Sequence, residues 1–286
     1  MSGPPAQDNI TIIDSTESLL SLIDSLVELP ITPPSLYIDL EGIQLGRHGS
    51  ISIVSLYVLP TKKVYLIDIY RLGDIAFSTI NAASTSLKTI LESPTIPKVI
   101  FDVRSASDAL FSHYGLSVDG IHDLQLMELA VRSGSKKFVA GLAKCVRFHT
   151  VASVASKEEW QSKKAAGKRS FSPEKGGRYE VFNERPMNRE IMEYCANDVI
   201  PLPELYEVYN SQLCLPRVQV WQSKVREATN QRIRDSKGPG YIGLSKANVY
   251  GPHDWELNDY DDVYDHDTAR DCDGWEDDMI KNGGDF

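Results

Sequence analysis

The run Ser35-Leu-Tyr-Ile-Asp-Leu-Glu-Gly42 constrains this chain more than any other stretch, because it sets two carboxylates into an otherwise apolar β pattern. Side chains alternate across a strand, so Asp39 and Glu41 point to the same face. A carboxylate pair in the middle of an apolar strand is costly to bury unless a cation or hydrogen-bond donors compensate it. A divalent metal ion meets that need. Taken alone, Asp-x-Glu reads more readily as an edge strand with two solvated charges.

A second signal lies far downstream. Tyr194-Cys-Ala-Asn-Asp198 falls inside a helical pattern that starts near Asn188. Residues four apart share a helix face, so a phenol and a carboxylate are presented together. Between the two motifs runs Lys98-Val-Ile-Phe-Asp-Val-Arg104, followed by Ser107-Asp-Ala-Leu-Phe-Ser-His-Tyr-Gly115.

In order and spacing these three motifs resemble the DEDDy branch of the 3'-5' exonucleases, the ribonuclease D-like superfamily. The middle motif is similar to its eukaryotic subgroup related to piRNA-associated exonuclease-domain proteins. The resemblance spans roughly Leu36 to Leu213. It implies a ribonuclease H-like α/β fold, a mixed five- or six-stranded sheet with helices on both faces. It also implies two-metal hydrolysis of phosphodiester bonds from the 3' end of RNA or single-stranded DNA. Asp39, Glu41 and Asp198 would be the metal ligands, and Tyr194 would orient or help deprotonate the attacking water. Mg²⁺ or Mn²⁺ suits such a donor set, since hard ions prefer oxygen ligands.

One position departs from the pattern. The family's middle motif carries an Asp nine residues before a Gly, and counting back from Gly115 places Ala106 there. A degenerate metal position follows, with one ion weakly held and turnover slow or absent. Two neighbours are candidates to replace the lost carboxylate. Asp108, two residues on, lies about 200° around a helix and should point away. Asp102, near the preceding strand's end, is the better placed substitute ligand. For both, a capping or surface carboxylate is the plainer reading. Two functions therefore stay open, an active or impaired exonuclease and a catalytically silent nucleic-acid-binding adaptor of the same fold.

Other chemistry has no foothold here. There is no His-Glu-x-x-His pair, Gly-x-Ser-x-Gly elbow, Walker A loop or Rossmann glycine pattern. His48 reads as a turn residue, and it could still meet a terminal phosphate, given Arg47 beside it. The four cysteines lack zinc or disulfide spacing, which points to a reducing compartment, cytoplasm or nucleus. No run reaches membrane-spanning length, and no signal peptide is evident.

The net charge of −10 is unevenly spread. From Gly251 to Phe286 there are 13 acidic residues against Arg270 and Lys281, a net of −11 that leaves +1 for everything before it. Val131 to Arg189 carries 14 Lys or Arg and 5 Glu, a net of +9. Lys136, Lys137, Lys163, Lys164, Lys168, Arg169 and Arg178 sit there among Phe138, Trp160, Phe171 and Tyr179. Cations for phosphates and rings for bases are what a single strand requires, so these are the candidate nucleic-acid contacts. A solvated lysine-rich connection is the alternative.

Along the chain the pattern predicts a strand at 9–14, a helix opened by an Asp14–Glu17 capping box, and strands at 51–58 and 63–69. A helix near 85–91, strands at 97–101 and 121–124, and helices after each complete the exonuclease-like part. The segment 150–177 reads as a partly ordered excursion, and Pro201 and Pro203 should break the last helix. Residues 1–34 are expected to pack on a domain spanning 35–237, with 238–286 an acidic disordered tail. That tail could imitate a nucleic acid and mask the +9 region.

Overall fold

The computed structural model describes residues 9–258. Six strands form one sheet: β1 (Ile10–Ile13), β2 (Leu36–Glu41), β3 (Ile53–Val58), β4 (Lys63–Asp68), β5 (Lys98–Ile100) and β6 (Ile121–Asp123). Their order is β1-β4-β3-β2-β5-β6. The β2-β3-β4 meander is antiparallel, while β5 and β6 run parallel to β2 and β1 parallel to β4. This is the mixed α/β sheet expected from the resemblance, with β1 added at one edge.

The helices are α1 (Thr16–Leu26), α2 (Ile69–Leu72), α3 (Ile75–Ser78), α4 (Leu87–Glu92), α5 (Val103–Tyr114) and α6 (Leu124–Val131). They continue with α7 (Leu142–His149), α8 (Val154–Phe171), α9 (Arg189–Val199), α10 (Leu202–Leu213) and α11 (Val220–Lys237). Strand alternation splits the interior into two cores. Leu36, Ile38 and Leu40 join α1, α4 and α5 on one face. Tyr37 faces the other side with α6, α7, α9 and α10. Asp39 and Glu41 continue the Tyr37 row by the same alternation. α11 belongs to both cores through Val225 and Ile233, and packs along β6, an edge strand of the sheet.

Three sequence expectations are corrected. The first helix is capped by Ser15, whose box is closed by Ser18, one residue later than expected. Asp14 instead pairs with Arg71 at 2.6 Å. The stretch expected to be a partly ordered excursion contains the 18-residue helix α8. Its polar sequence hides a buried stripe that packs on α9. Finally, the chain does not leave the body at 238. Trp255 is 1% exposed and packs edge-on against Trp221, Val139 N–H donates to Val249 O at 2.9 Å, and Gly251 N–H donates to Lys137 O at 2.9 Å. The rest of the expected tail, from 259 on, lies outside the described residues.

Candidate active site

The carboxyl ends of the parallel strands β2, β5 and β6 open at one end of the sheet, where ligands bind in folds of this type. Asp39 stands opposite Ser55 and Glu41 opposite Ile53 in the β2–β3 register. β5 ends level with Ile38, so the last three residues of β2 project beyond it toward the turn into α5.

α9 crosses β2, β3 and β4. Its N-cap Asn188 accepts from Glu190 N–H, and Ile191, Tyr194, Cys195, Asp198 and Val199 form its buried stripe. The segment entering it is pinned twice to the sheet. Ser52 Oγ bonds Asn183 Oδ1 at 2.7 Å, and the Arg185 guanidinium grips the buried Asp68 carboxylate, one arm at 2.6 Å. α9 then ends where Pro201 and Pro203 begin α10, as expected from proline's missing donor.

This packing brings oxygens of Asp39, Glu41 and Asp198 within 4.8 Å of one another. Glu41 and Asp198 are buried and Asp39 is half-buried. Three carboxylates at such range repel unless a cation joins them. Oxygen-only donors from two distant stretches suit a hard divalent ion. Tyr194, one turn before Asp198, is buried on the same face of α9.

A cation of the chain's own reaches this cluster. Lys164 of α8 donates through Nζ to Asp198 Oδ1 and lies 3.4 Å from the Tyr194 hydroxyl and 4.6 Å from that ring's centre. α8 is held in place by Trp160 Nε1, which donates to Asn197 O at 2.9 Å, and by Asn197 Nδ2, which donates to Trp160 O at 3.1 Å. Gly167 completes the seam, because a Cβ there would stand 2.5 Å from the Tyr194 ring. Lys164 stood among the strand-binding candidates on charge alone. Nothing in a polar lysine-rich sequence reveals that one of its cations turns inward.

Ala106 is buried in α5 among the aliphatic residues of the α1–α4–α5 core. Neither neighbour takes its place among the described residues. Asp102, expected as the substitute ligand, caps α5 and is bound by Arg104 at 2.5 and 2.7 Å, with Arg232 of α11 at 3.5 Å. Burial would raise its pKa, but the two guanidiniums outweigh that and hold it at about 2. Asp108, expected to point away from the metal side as a capping or surface carboxylate, is buried on Arg47. It accepts from Arg47 N–H at 2.9 Å and Arg47 Nε at 2.8 Å. Arg47 also donates to the carbonyls of Ser236, Gly238 and Pro239, so it is not held ready for a terminal phosphate. Asp123 caps α6, accepts from the backbone N–H groups of Asp102 and Val103, and bonds Arg232 at 2.8 Å, which fixes the β5–α5 turn.

The strand-binding candidates divide. Lys136 is buried, with its amine on Arg132 O at 2.6 Å and over the Trp221 ring, which corrects its reading as a substrate contact. Lys137 and Arg169 are exposed, Lys163 pairs with Glu159 at 2.9 Å along α8, Arg178 pairs with Glu184, and Lys168 is half-buried. Among the described residues no helix is long and apolar enough to cross a membrane.

Such a sheet, with an acidic pair on its central strand and a Tyr/Asp helix across it, defines a DEDDy-type nuclease domain of ribonuclease D-like fold. A family model described as a 3'-5' exonuclease matches residues 10–213. Mouse piRNA biogenesis protein EXD1 is 37% identical over 89 residues, which is 31% of this chain and 14% of that protein. The human protein matches equally over 16% of its length, so the likeness spans a small part of these relatives. Trypanosoma brucei RNase D in its GMP complex superposes with a TM-score of 0.67 at 20% identity, covering 86% of this chain and 70% of that one. The same enzyme with RNA U12 gives 0.65 at 19%, covering 86% and 77%. The chain belongs to the 3'-5' exonuclease family and is related to EXD1.

Proposed function

We propose that this protein engages the 3' end of RNA or single-stranded DNA at the Asp39–Glu41–Asp198 centre and hydrolyses its terminal phosphodiester bond, at a rate reduced by Ala106. The observation that carries this reading is the convergence of those three carboxylates within 4.8 Å from two separate stretches of a chain of this family. RNA is favoured as substrate, because the solved neighbour was captured with an RNA and EXD1 is named for piRNA biogenesis.

In this reading Asp39, Glu41 and Asp198 hold Mg²⁺ or Mn²⁺. When bound, such ions supply Lewis acidity at the phosphate and neutralise charge that develops in the displacement. The Tyr194 hydroxyl orients the attacking water, and Glu41 faces the 3' terminus. Lys137, Lys163, Lys168, Arg169 and Arg178 line the approach of the strand and neutralise phosphates. The methyl of Ala106 leaves the centre one carboxylate short, which weakens the hold on a second ion.

Two observations favour the alternative, a silent nucleic-acid-binding adaptor: Ala106 itself, and the engagement of Asp198 by Lys164. A 5'-labelled single-stranded RNA incubated with Mn²⁺ separates the readings. Laddering from the 3' end by the wild type, abolished in Asp198→Asn, establishes the exonuclease. Cleavage only by Ala106→Asp establishes an impaired centre. Binding with no cleavage by either establishes the adaptor and overturns the hydrolytic reading.

A further inference from the structure

We propose that Ser55 is a positioning residue of the acidic centre: its hydroxyl donates a hydrogen bond to the Asp39 carboxylate and holds it in the orientation that binds a divalent ion. The inference rests on the reading of Asp39, Glu41 and Asp198 as a divalent-ion centre. Its basis is a buried hydroxyl on β3 that the hydrolysis described above does not use.

Ser55 lies directly opposite Asp39 in the antiparallel β2–β3 register, and on its other side it stands opposite Leu66 of β4. Directly opposed residues share a sheet face with Cβ atoms about 4.5–5.5 Å apart, close enough for two short polar side chains to meet through a change of rotamer. The face is the one that carries the centre. Ile53 and Tyr57, two residues to either side of Ser55, belong to the Tyr37 core, and α9 packs across β3 there. Ser55 is 0% exposed, and its Oγ has no hydrogen-bond partner among the described residues.

A hydroxyl sealed from water without a partner is costly, and an apolar residue of similar size would avoid that cost. Such a group in a native core calls for an explanation, and a nearby ion site is one. Of the two side chains that flank Ser55 across the sheet, Leu66 offers no acceptor and Asp39 offers a carboxylate. A carboxylate has about four lone-pair sites, so a bond from Ser55 adds to the ion and to other partners of Asp39 without displacing them. Outer hydrogen bonds of this kind orient the carboxylates that ligate metals. Asp39 needs one more than its companions do. Glu41 and Asp198 are buried, whereas Asp39 is half-buried, so packing alone constrains it least.

The test is Mn²⁺ binding by the intact chain, read by calorimetry, with melting temperatures in chelator and in Mn²⁺, for wild type, Ser55→Ala and Ser55→Thr. In chelator Ser55→Ala should melt no lower than the wild type, because the deleted hydroxyl makes no hydrogen bond in the metal-free core. It should bind Mn²⁺ at least about tenfold more weakly and gain less melting temperature from the ion. Ser55→Thr keeps the hydroxyl and should bind Mn²⁺ close to the wild type. Unchanged Mn²⁺ affinity in Ser55→Ala overturns the role of Ser55 and leaves the metal centre standing. A lower melting temperature of Ser55→Ala in chelator, or its failure to fold, also overturns it, since the hydroxyl would then serve the metal-free core. Equal weakening in Ser55→Ala and Ser55→Thr assigns the effect to shape and overturns it likewise. No Mn²⁺ uptake by the folded wild type removes the metal centre and this inference together.

Discussion

At the scale of single residues, the acidic pair on β2 was legible because strand alternation alone places Asp39 and Glu41 together. Tyr194 and Asp198 were legible because four-residue spacing on a capped helix does the same. Lys164 was not, since burial of a lysine depends on a helix partner that no local pattern shows. Gly167 is the sharpest residue-level consequence of that partnership. Alanine is the better helix former by about 1 kcal/mol, yet its methyl would stand 2.5 Å from the Tyr194 ring. Overpacking of this kind outweighs propensity, so Gly167→Ala should lower stability by about 1–3 kcal/mol in urea unfolding. A stabilised variant would show that α8 does not press on Tyr194. Asp102 gives a pH signature. Its pKa falls from 3.8 to about 2 in the fold, a stabilisation of roughly 2 kcal/mol that is fully present above pH about 4 and lost as pH falls through about 2. Asp102→Asn should therefore cost most at neutral pH and converge on the wild type in acid. A loss of the same size at every pH would contradict the pairing with Arg104 and Arg232.

At the scale of elements, the strands and most helices follow from periodicity and capping, whereas α8 and α11 do not announce themselves. α8 is polar around most of its circumference, and Trp160, Lys164, Gly167 and Phe171 commit it to the body. Its helical state comes from docking, which a reading of propensity misses. α11 reaches across the molecule with Arg232 to Asp123 and Asp102, a long-range tie with no local trace. The short segment between α8 and α9 is equally dependent on distant partners. Arg185→Met would strip the guanidinium from Asp68, which is 1% exposed, and breaking a buried pair from one side typically costs about 3–5 kcal/mol. The variant should unfold at correspondingly lower urea and lose nuclease or strand-binding function with the displaced α9. Unchanged stability would mean that water or another donor already serves Asp68.

At the scale of the whole molecule, the fold that positions the centre was visible in outline from three motifs, while the place where the body ends was not. Acidic composition after Gly238 suggested an early exit, but Tyr241, Val249 and Trp255 return the chain to the body. Arg47 helps hold it there by binding the carbonyls of Ser236, in the last turn of α11, and of Gly238 and Pro239 just beyond it. A cut at Gly251 would thus remove Trp255 from the core, and the masking idea is better tested by deleting 259–286. That segment holds 11 acidic residues against Arg270 and Lys281, a net of −9. Its deletion should tighten single-stranded RNA binding at low salt, with the gain fading as salt screens the charges. Equal affinity at all salt concentrations would remove the masking role.

Residues from β2 and α9 should together form one divalent-ion centre. Crystals of the protein soaked in Mn²⁺, measured at a wavelength where manganese scatters anomalously, test it directly. An anomalous peak bounded by Asp39, Glu41 and Asp198 is expected. Manganese seated elsewhere, or an ordered cluster with no peak at saturating Mn²⁺, would contradict it.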